Sequence, residues 1–335
     1  MIRRLTSSQV LDLQGLFEAQ LHQDKPREYI TLVANSFEDY NTGKNMGTFA
    51  PIVLGHIQSL AKGAHTFHVQ AEMTDLIDAA SLGLSDDTPW RRELLPTEVG
   101  FVYFDKPLVA HDTRGRMLKA HALLWGPGSI GDVPCTMLYW FNDVDDPDDL
   151  IKFKVESSLA FSDHIRSCGR LQLFHIDVIG DNEDVGPAKV APNEDYEKRI
   201  EEEGDQPLPA DNGVRRFVAY LRLLSQTLIK SSPADVDKAA MKRATRRGLP
   251  GLVTTVTLRR VRYVGNETHD ETEVEWSHRW LVRGHWRRQP CGPDHPLAEP
   301  DGHGGFVAII YINPYIKGPE DKPLHLSNKV YDLAR

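Results

Sequence analysis

The chain has 335 residues, 40% apolar and 26% charged, proportions of a folded globular protein with one large domain or two ordinary ones. Net charge is −9, which taken alone argues against general nucleic-acid binding. The longest apolar run, Phe306 to Ile312, has the length of a buried strand and falls far short of the roughly 20 residues of a membrane helix. The opening Met1-Ile-Arg-Arg-Leu-Thr-Ser-Ser8 lacks the apolar stretch of an export signal. Three cysteines, Cys135, Cys168 and Cys291, stand at long spacings without a CxxC pair, a pattern that excludes a disulfide framework and the usual zinc arrangements. A cytoplasmic protein without membrane contact is expected.

Thr6-Ser-Ser-Gln9 has the form of a capping box, and Val10, Leu13 and Phe17 then share one helical face. A helix over 8–22 follows. Pro26 suits a first helical turn, with Ile30, Val33, Phe37 and Tyr40 behind it until Asn41-Thr-Gly43. Pro51 opens a third helix ending at Gly63, and Met73, Leu76, Ile77 and Ala80 mark a fourth ending near Gly83. The first 85 residues therefore read as mostly helical.

After Pro96 the pattern changes. Val99 to Phe104, Met117 to Trp125 and Thr136 to Phe141 are rich in β-branched and aromatic residues, with turn signals at Asp112 to Gly115 and at Gly126-Pro-Gly128. An antiparallel meander is predicted, with Leu171 to Ile179 as a further strand. The Gly/Asp/Asn/Pro-rich stretch 181–212 reads as a linker or loop. Phe217, Leu221, Leu224 and Leu228 predict one long amphipathic helix over 213–230, packed on a sheet. Ser232-Pro233 reads as the cap of a short basic helix reaching Arg247, and Val253 to Val264, Val274 to Trp286 and Phe306 to Ile312 read as the last strands. The expected fold class is α+β: a helical N-terminal part, then a largely antiparallel sheet with one long packing helix. The expected units are 1–180, the acidic linker 181–212 and a C-terminal region 213–335.

Charge is divided between two blocks. Asp181 to Asp205 holds ten acids against three bases, and Lys238 to Gln289 holds twelve bases against five acids. An acidic connector beside a basic working surface is one reading, mutual neutralisation within the fold the other.

Trp276-Ser-His-Arg-Trp-Leu-Val-Arg-Gly-His-Trp-Arg-Arg-Gln289 carries most of the chemistry. As one strand it sends His278, Trp280 and Trp286 to one face and Arg279, Arg283, His285 and Arg287 to the other. Arrayed guanidiniums bind phosphates through paired hydrogen bonds, and indoles stack on bases. Arg279, Arg283, Trp286, Arg287 and Arg288 are thus candidate nucleic-acid contacts. The competing reading pairs these arginines with Glu267, Asp270, Glu271, Glu273 and Glu275 and buries the tryptophans. Asn313, Tyr315 and Lys317 alternate along a stretch able to pair with 276–287, beside the arginine face. His285, Tyr315 and Lys317 then supply the proton carriers and the cation of a metal-independent phosphodiester cleavage.

The same segment, with Tyr311-Ile-Asn-Pro-Tyr-Ile-Lys-Gly-Pro-Glu-Asp-Lys-Pro-Leu324 and Leu94-Leu-Pro-Thr-Glu-Val-Gly-Phe101, resembles a recurring signature of uncharacterised proteins from actinobacteria and their phages and plasmids. That resemblance implies a bacterial or phage cytoplasmic setting and no particular activity.

Other clusters are weaker. His65, His68 and Glu72 at helical spacing read as a surface cluster more readily than as metal ligands, without an HExxH pattern. Asp143, Asp145, Asp146, Asp148 and Asp149 read as a solvated turn, since the glycine and distal glutamate of a calcium loop are missing. Gly126 to Gly131 reads as a hairpin connection. Serine hydrolase, kinase and dehydrogenase signatures are not found. The reading is a cytoplasmic protein that binds RNA or DNA, with the nuclease as its catalytic version and neither metal nor cofactor. The alternative is a phage- or plasmid-type regulatory protein whose basic face meets a protein partner.

Overall fold

The computed structural model describes residues 4–42, 49–85, 88, 90–111, 117–130, 133–146, 166–180, 213–226, 229–258, 279–282, 284–295, 297–317 and 324–325. The predicted linker 181–212, Arg283 and the acids from Glu267 to Glu275 lie outside them. The fold is α+β. Helices α1 (Ser7–Gln20), α2 (Asp24–Thr42), α3 (Phe49–Gly63) and α4 (Ala71–Leu82) precede most of the strands, and α5 (Gly213–Leu224) and α6 (Lys238–Arg246) follow later. α1 starts where its sequence demands: Thr6 Oγ1 accepts the Gln9 N–H at 3.3 Å and Gln9 Oε1 accepts the Thr6 N–H at 2.9 Å.

The central sheet has the order β5-β4-β3-β2-β1-β7-β6, built from β1 (His65–Val69), β2 (Gly100–His111), β3 (Met117–Ile130), β4 (Val133–Asp143), β5 (Leu171–Gly180), β6 (Ile229–Pro233) and β7 (Val253–Leu258). The predicted meander is β2 to β5, all antiparallel. β1 is a strand inside the stretch expected to be helical, and it runs parallel to both neighbours, β2 and β7. β6 and β7, from beyond 181–212, hydrogen-bond into the same sheet as β1. Ser232 and Pro233 belong to β6, paired with Thr255 and Thr254. They do not cap α6, whose first turn is held instead by Asp237 Oδ1 accepting the Ala240 N–H at 2.7 Å.

Strand alternation divides the core in two. Phe101, Tyr103, Leu124, Tyr139 and Phe141 face Val10, Phe17, Ile30, Val53 and Ile57 of α1, α2 and α3. Val102, Phe104, Leu123, Trp125 and Trp140 face Met73 and Ile77 of α4 and Phe217, Tyr220 and Leu221 of α5. Phe217 sits between Trp90 and Trp125, with ring centroids 5.8 and 5.6 Å away. Each such ring contributes about 2–3 kcal/mol by burial. α5 stops at Leu224 and not at 230, because the chain turns at Ser225-Gln226 and enters β6. The Gln226 Oε1 made available there accepts the Tyr311 N–H at 2.9 Å.

Gly126 to Ser129 continue β3 and do not form the hairpin tip. A side chain at Gly126 would collide with Leu60 of α3, so the glycine lets that helix approach the sheet. The three cysteines are free thiols.

Candidate functional site

The basic C-terminal segment forms two short strands, β8 (Arg279–Val282) and β9 (His285–Cys291), where one was expected. β9 pairs antiparallel with β11 (Phe306–Ile312), which also pairs with β10 (Ala298–Pro300); β8 pairs with β12 (Tyr315–Lys317) and β13 (Leu324–His325). The expected partnership of 276–287 with the stretch holding Tyr315 and Lys317 is present. The register does not slip across the break: Val282 lies opposite Tyr315, and His285 opposite Ile312. The bend falls at Gly284, where a Cβ would meet the Tyr311 hydroxyl and stand 3.1 Å from Pro314 Cδ.

That register fixes where the candidate cleavage residues stand along the strands. Opposed residues of an antiparallel pair share a face. Tyr315 is opposite Val282 and Lys317 opposite Trp280, which is the alternation assigned to the tryptophans and not that of Arg279, Arg283, His285 and Arg287. His285 and Tyr315 stand three register steps apart, about 10 Å at the usual strand rise, and on opposite alternations.

β9 keeps a charged surface nevertheless. Arg287 and Arg288 are exposed, and among the described residues neither has a carboxylate within 4.0 Å. His285, Tyr315 and Lys317 are exposed as well. Arg279 contributes its backbone to β8 opposite Leu324. Trp286 is turned inward: its Nε1–H donates to the Ala80 carbonyl at 2.7 Å and its ring meets Tyr311 edge-on at 5.2 Å. The indole therefore anchors the ribbon on α4 and does not offer a stacking face. Burial also pushes the Tyr311 phenol above its ordinary pKa. Further anchoring comes from the buried Arg222 of α5, which reaches Glu299 of β10 at 3.4 Å.

The rest of the basic block lies elsewhere. α6 packs on α1 through Ala244, Leu249 and Leu11, and Arg243 grips Asp12 with bonds of 2.7 and 2.6 Å. Lys238, Lys242 and Arg246, four residues apart, are exposed on its outer side. Since α1 and α4 cover opposite faces of the central sheet, α6 and β9 are two separate basic surfaces and not one.

Two clusters differ from their expected state. His65 and His68 lie three apart on β1, so they face opposite sides and cannot converge at helical spacing. His68 is only 3% exposed, hence no surface group, and His65 is held below its ordinary pKa by burial. The Asp143 segment does turn at Val144-Asp145 with Asp145 exposed, but Asp143 is buried, and Asp148 and Asp149 lie outside the described residues. Asp143, 2% exposed, accepts Arg170 Nε and Nη2 at 2.9 and 2.7 Å and the Tyr103 hydroxyl at 3.1 Å. Its N–H donates to His121 Nδ1 at 3.1 Å, which leaves the proton of that ring on Nε2, donated to Asp146 at 2.9 Å. Burial, then the Asp143 charge, push the Tyr103 phenol far above its usual range, and the hydrogen bond from Arg170 to Asp143 keeps that guanidinium charged. Among the described residues no group of three or more His, Cys, Asp or Glu is placed to hold a metal, and no helix is long and apolar enough to cross a membrane.

No family model matches the chain. No curated protein matches it. Among solved structures, the chain is similar over 92% of its length, and 93% of the other chain, to a crystal structure of AcrVA2, at 10% identity and a TM-score of 0.36. A likeness that loose carries no inference about either protein.

Proposed function

We infer that the protein binds a polyanion, RNA or DNA, along the ribbon β8–β9–β11–β12, with Arg287 and Arg288 as the primary phosphate contacts, His285 beside them on β9 and Lys317 farther along the ribbon on β12. The observation that supports this most is the exposure of Arg287 and Arg288 on β9, which among the described residues has β11 as its neighbour and no carboxylate within 4.0 Å of either guanidinium. Guanidiniums left hydrated and unpaired lose little on meeting phosphate and displace counterions from it. Phosphate contacts carry this binding, and Trp286 adds no base stacking to it, because its indole is committed to Ala80 and Tyr311.

Among the described residues β9 stands at the edge of its sheet, which favours a second reading, a protein partner adding a strand beside it. Fluorescence anisotropy with a labelled single-stranded RNA and a DNA duplex tests the first reading. Arg287→Ala/Arg288→Ala is expected to weaken both by ~10-fold or more, while Lys242→Ala/Arg246→Ala on α6 leaves them unchanged. Equal affinity of the β9 variant and the wild type would reject the assignment and leave the strand-addition reading.

A further inference from the structure

The parallel strands β1 and β7 bring three distant side chains together at their carboxyl ends. Ser7, the first residue of α1, has its Oγ 3.0 Å from His68 Nδ1 on β1. His68 Nε2 lies 2.8 Å from Asp105 Oδ1 on β2. Thr255 of β7, the register neighbour of His68, places its Oγ1 3.4 Å from Ser7 Oγ. The imidazole and the carboxylate are each 4% exposed and Ser7 is half-buried. A groove lined by Arg4, Ala71, Glu72, Asp75, Asp105 and Lys106 meets this cluster at Asp105.

We propose that Ser7, His68 and Asp105 form a nucleophilic serine site that hydrolyses small polar esters entering this groove. The geometry is that of a nucleophile held by a base and a base held by a carboxylate, with the two ring nitrogens exchanged relative to the common arrangement. With the Nε2–H donated to Asp105, Nδ1 is the acceptor for the Ser7 hydroxyl proton. Ser7 Oγ bonds to the acyl carbon, its proton passes to Nδ1, and the carbonyl π pair moves onto oxygen. Collapse expels the alcohol, which takes the proton from Nδ1, and water then repeats the sequence on the acyl-serine to release a carboxylic acid.

The position suits such a reaction on independent grounds. The carboxyl ends of parallel strands are where α/β sheets bind ligands, and α1 and α4 both begin there. In the first turn of α1, Thr6 accepts from the Gln9 and Val10 N–H groups, which leaves those of Ser7 and Ser8 for a developing oxyanion. The charged groups of Arg4, Glu72, Asp75 and Lys106 stand around the groove and favour an ester that carries polar groups.

The test is labelling of the intact protein with a fluorophosphonate, mapped by mass spectrometry, alongside release of 4-nitrophenol from its acetate ester. A label on Ser7, its loss in Ser7→Ala together with ester hydrolysis, and labelling slowed ~100-fold or more in Asp105→Asn are expected. Asp105 acts as a positioning residue, so its variant must keep the wild-type circular dichroism while losing reactivity. In Ser7→Cys, alkylation by iodoacetamide at a pH below the ordinary thiol range reports the same His68 partnership without relying on turnover. A folded wild type that takes no label at Ser7, or a Ser7→Ala that hydrolyses the ester at the wild-type rate, overturns the proposal. Nucleic-acid binding at β9 is unaffected by either outcome.

Discussion

The Trp286 indole donates a 2.7 Å hydrogen bond to the carbonyl of Ala80, in the last turn of α4, and so fastens the basic ribbon to the main core. Loss of the donor alone leaves that carbonyl without this partner. Trp286→Phe is expected to cost about 1 kcal/mol and Trp286→Ala about 3–5 kcal/mol, read from urea unfolding midpoints at constant slope. An alanine variant as stable as the wild type would mean that the indole is not an anchor.

Gly284 lies between β8 and β9, and Tyr311 occupies the space a side chain there would need. Gly284→Ala should destabilise by about 1–3 kcal/mol through overpacking. Pairing it with Tyr311→Phe should recover part of that loss, which a double-mutant cycle measures directly.

Asp143 gathers the ends of β2, β4 and β5 through Tyr103 and Arg170. Asp143→Asn keeps the shape but removes the charge that balances Arg170. A loss of about 2–3 kcal/mol is expected in thermal or urea unfolding. Arg170→Met, which removes the other partner of a nearly buried carboxylate, should cost a similar amount.

His175 on β5 titrates above its usual value. Burial opposes its charge, but Asp177, 3.0 Å away, outweighs that by its own charge and by accepting the ring N–H. A histidine whose folded pKa is raised contributes stability below the unfolded value, near pH ~6.5, and loses it as pH climbs through the folded value. Asp177→Asn should therefore cost more stability at pH ~5.5 than at pH ~8.5 and should lower the His175 titration midpoint seen by NMR. Equal losses at the two pH values would place the effect in the Trp140–Asp177 hydrogen bond instead.

Local signals predicted local structure well. The Thr6/Gln9 capping box, the helix ending at Gly83 and the meander from Gly100 onward all stand where periodicity puts them. β1 escaped because it is five residues long, follows a helix directly and is held by pairings with 100–104 and 253–256 that no local pattern announces. Arg287 stands on the charged alternation of 276–289, while the neighbouring Arg288 is exposed although it is in phase with Trp286. The inward turn of Trp286, the bend at Gly284 and the phase of Tyr315 were not legible, since each is decided by packing against α4 or Tyr311. Ser7, His68 and Asp105 carry no sequence motif, and only the parallel registry of β1 brings them together.

The salt dependence of oligonucleotide binding tests the central claim most directly. If Arg287 and Arg288 each neutralise a phosphate, a plot of log affinity against log salt concentration should be shallower by about 1.4–1.8 in Arg287→Ala/Arg288→Ala than in the wild type. An identical slope in the two proteins, or no salt-sensitive binding by the wild type, would contradict a polyanion surface on β9.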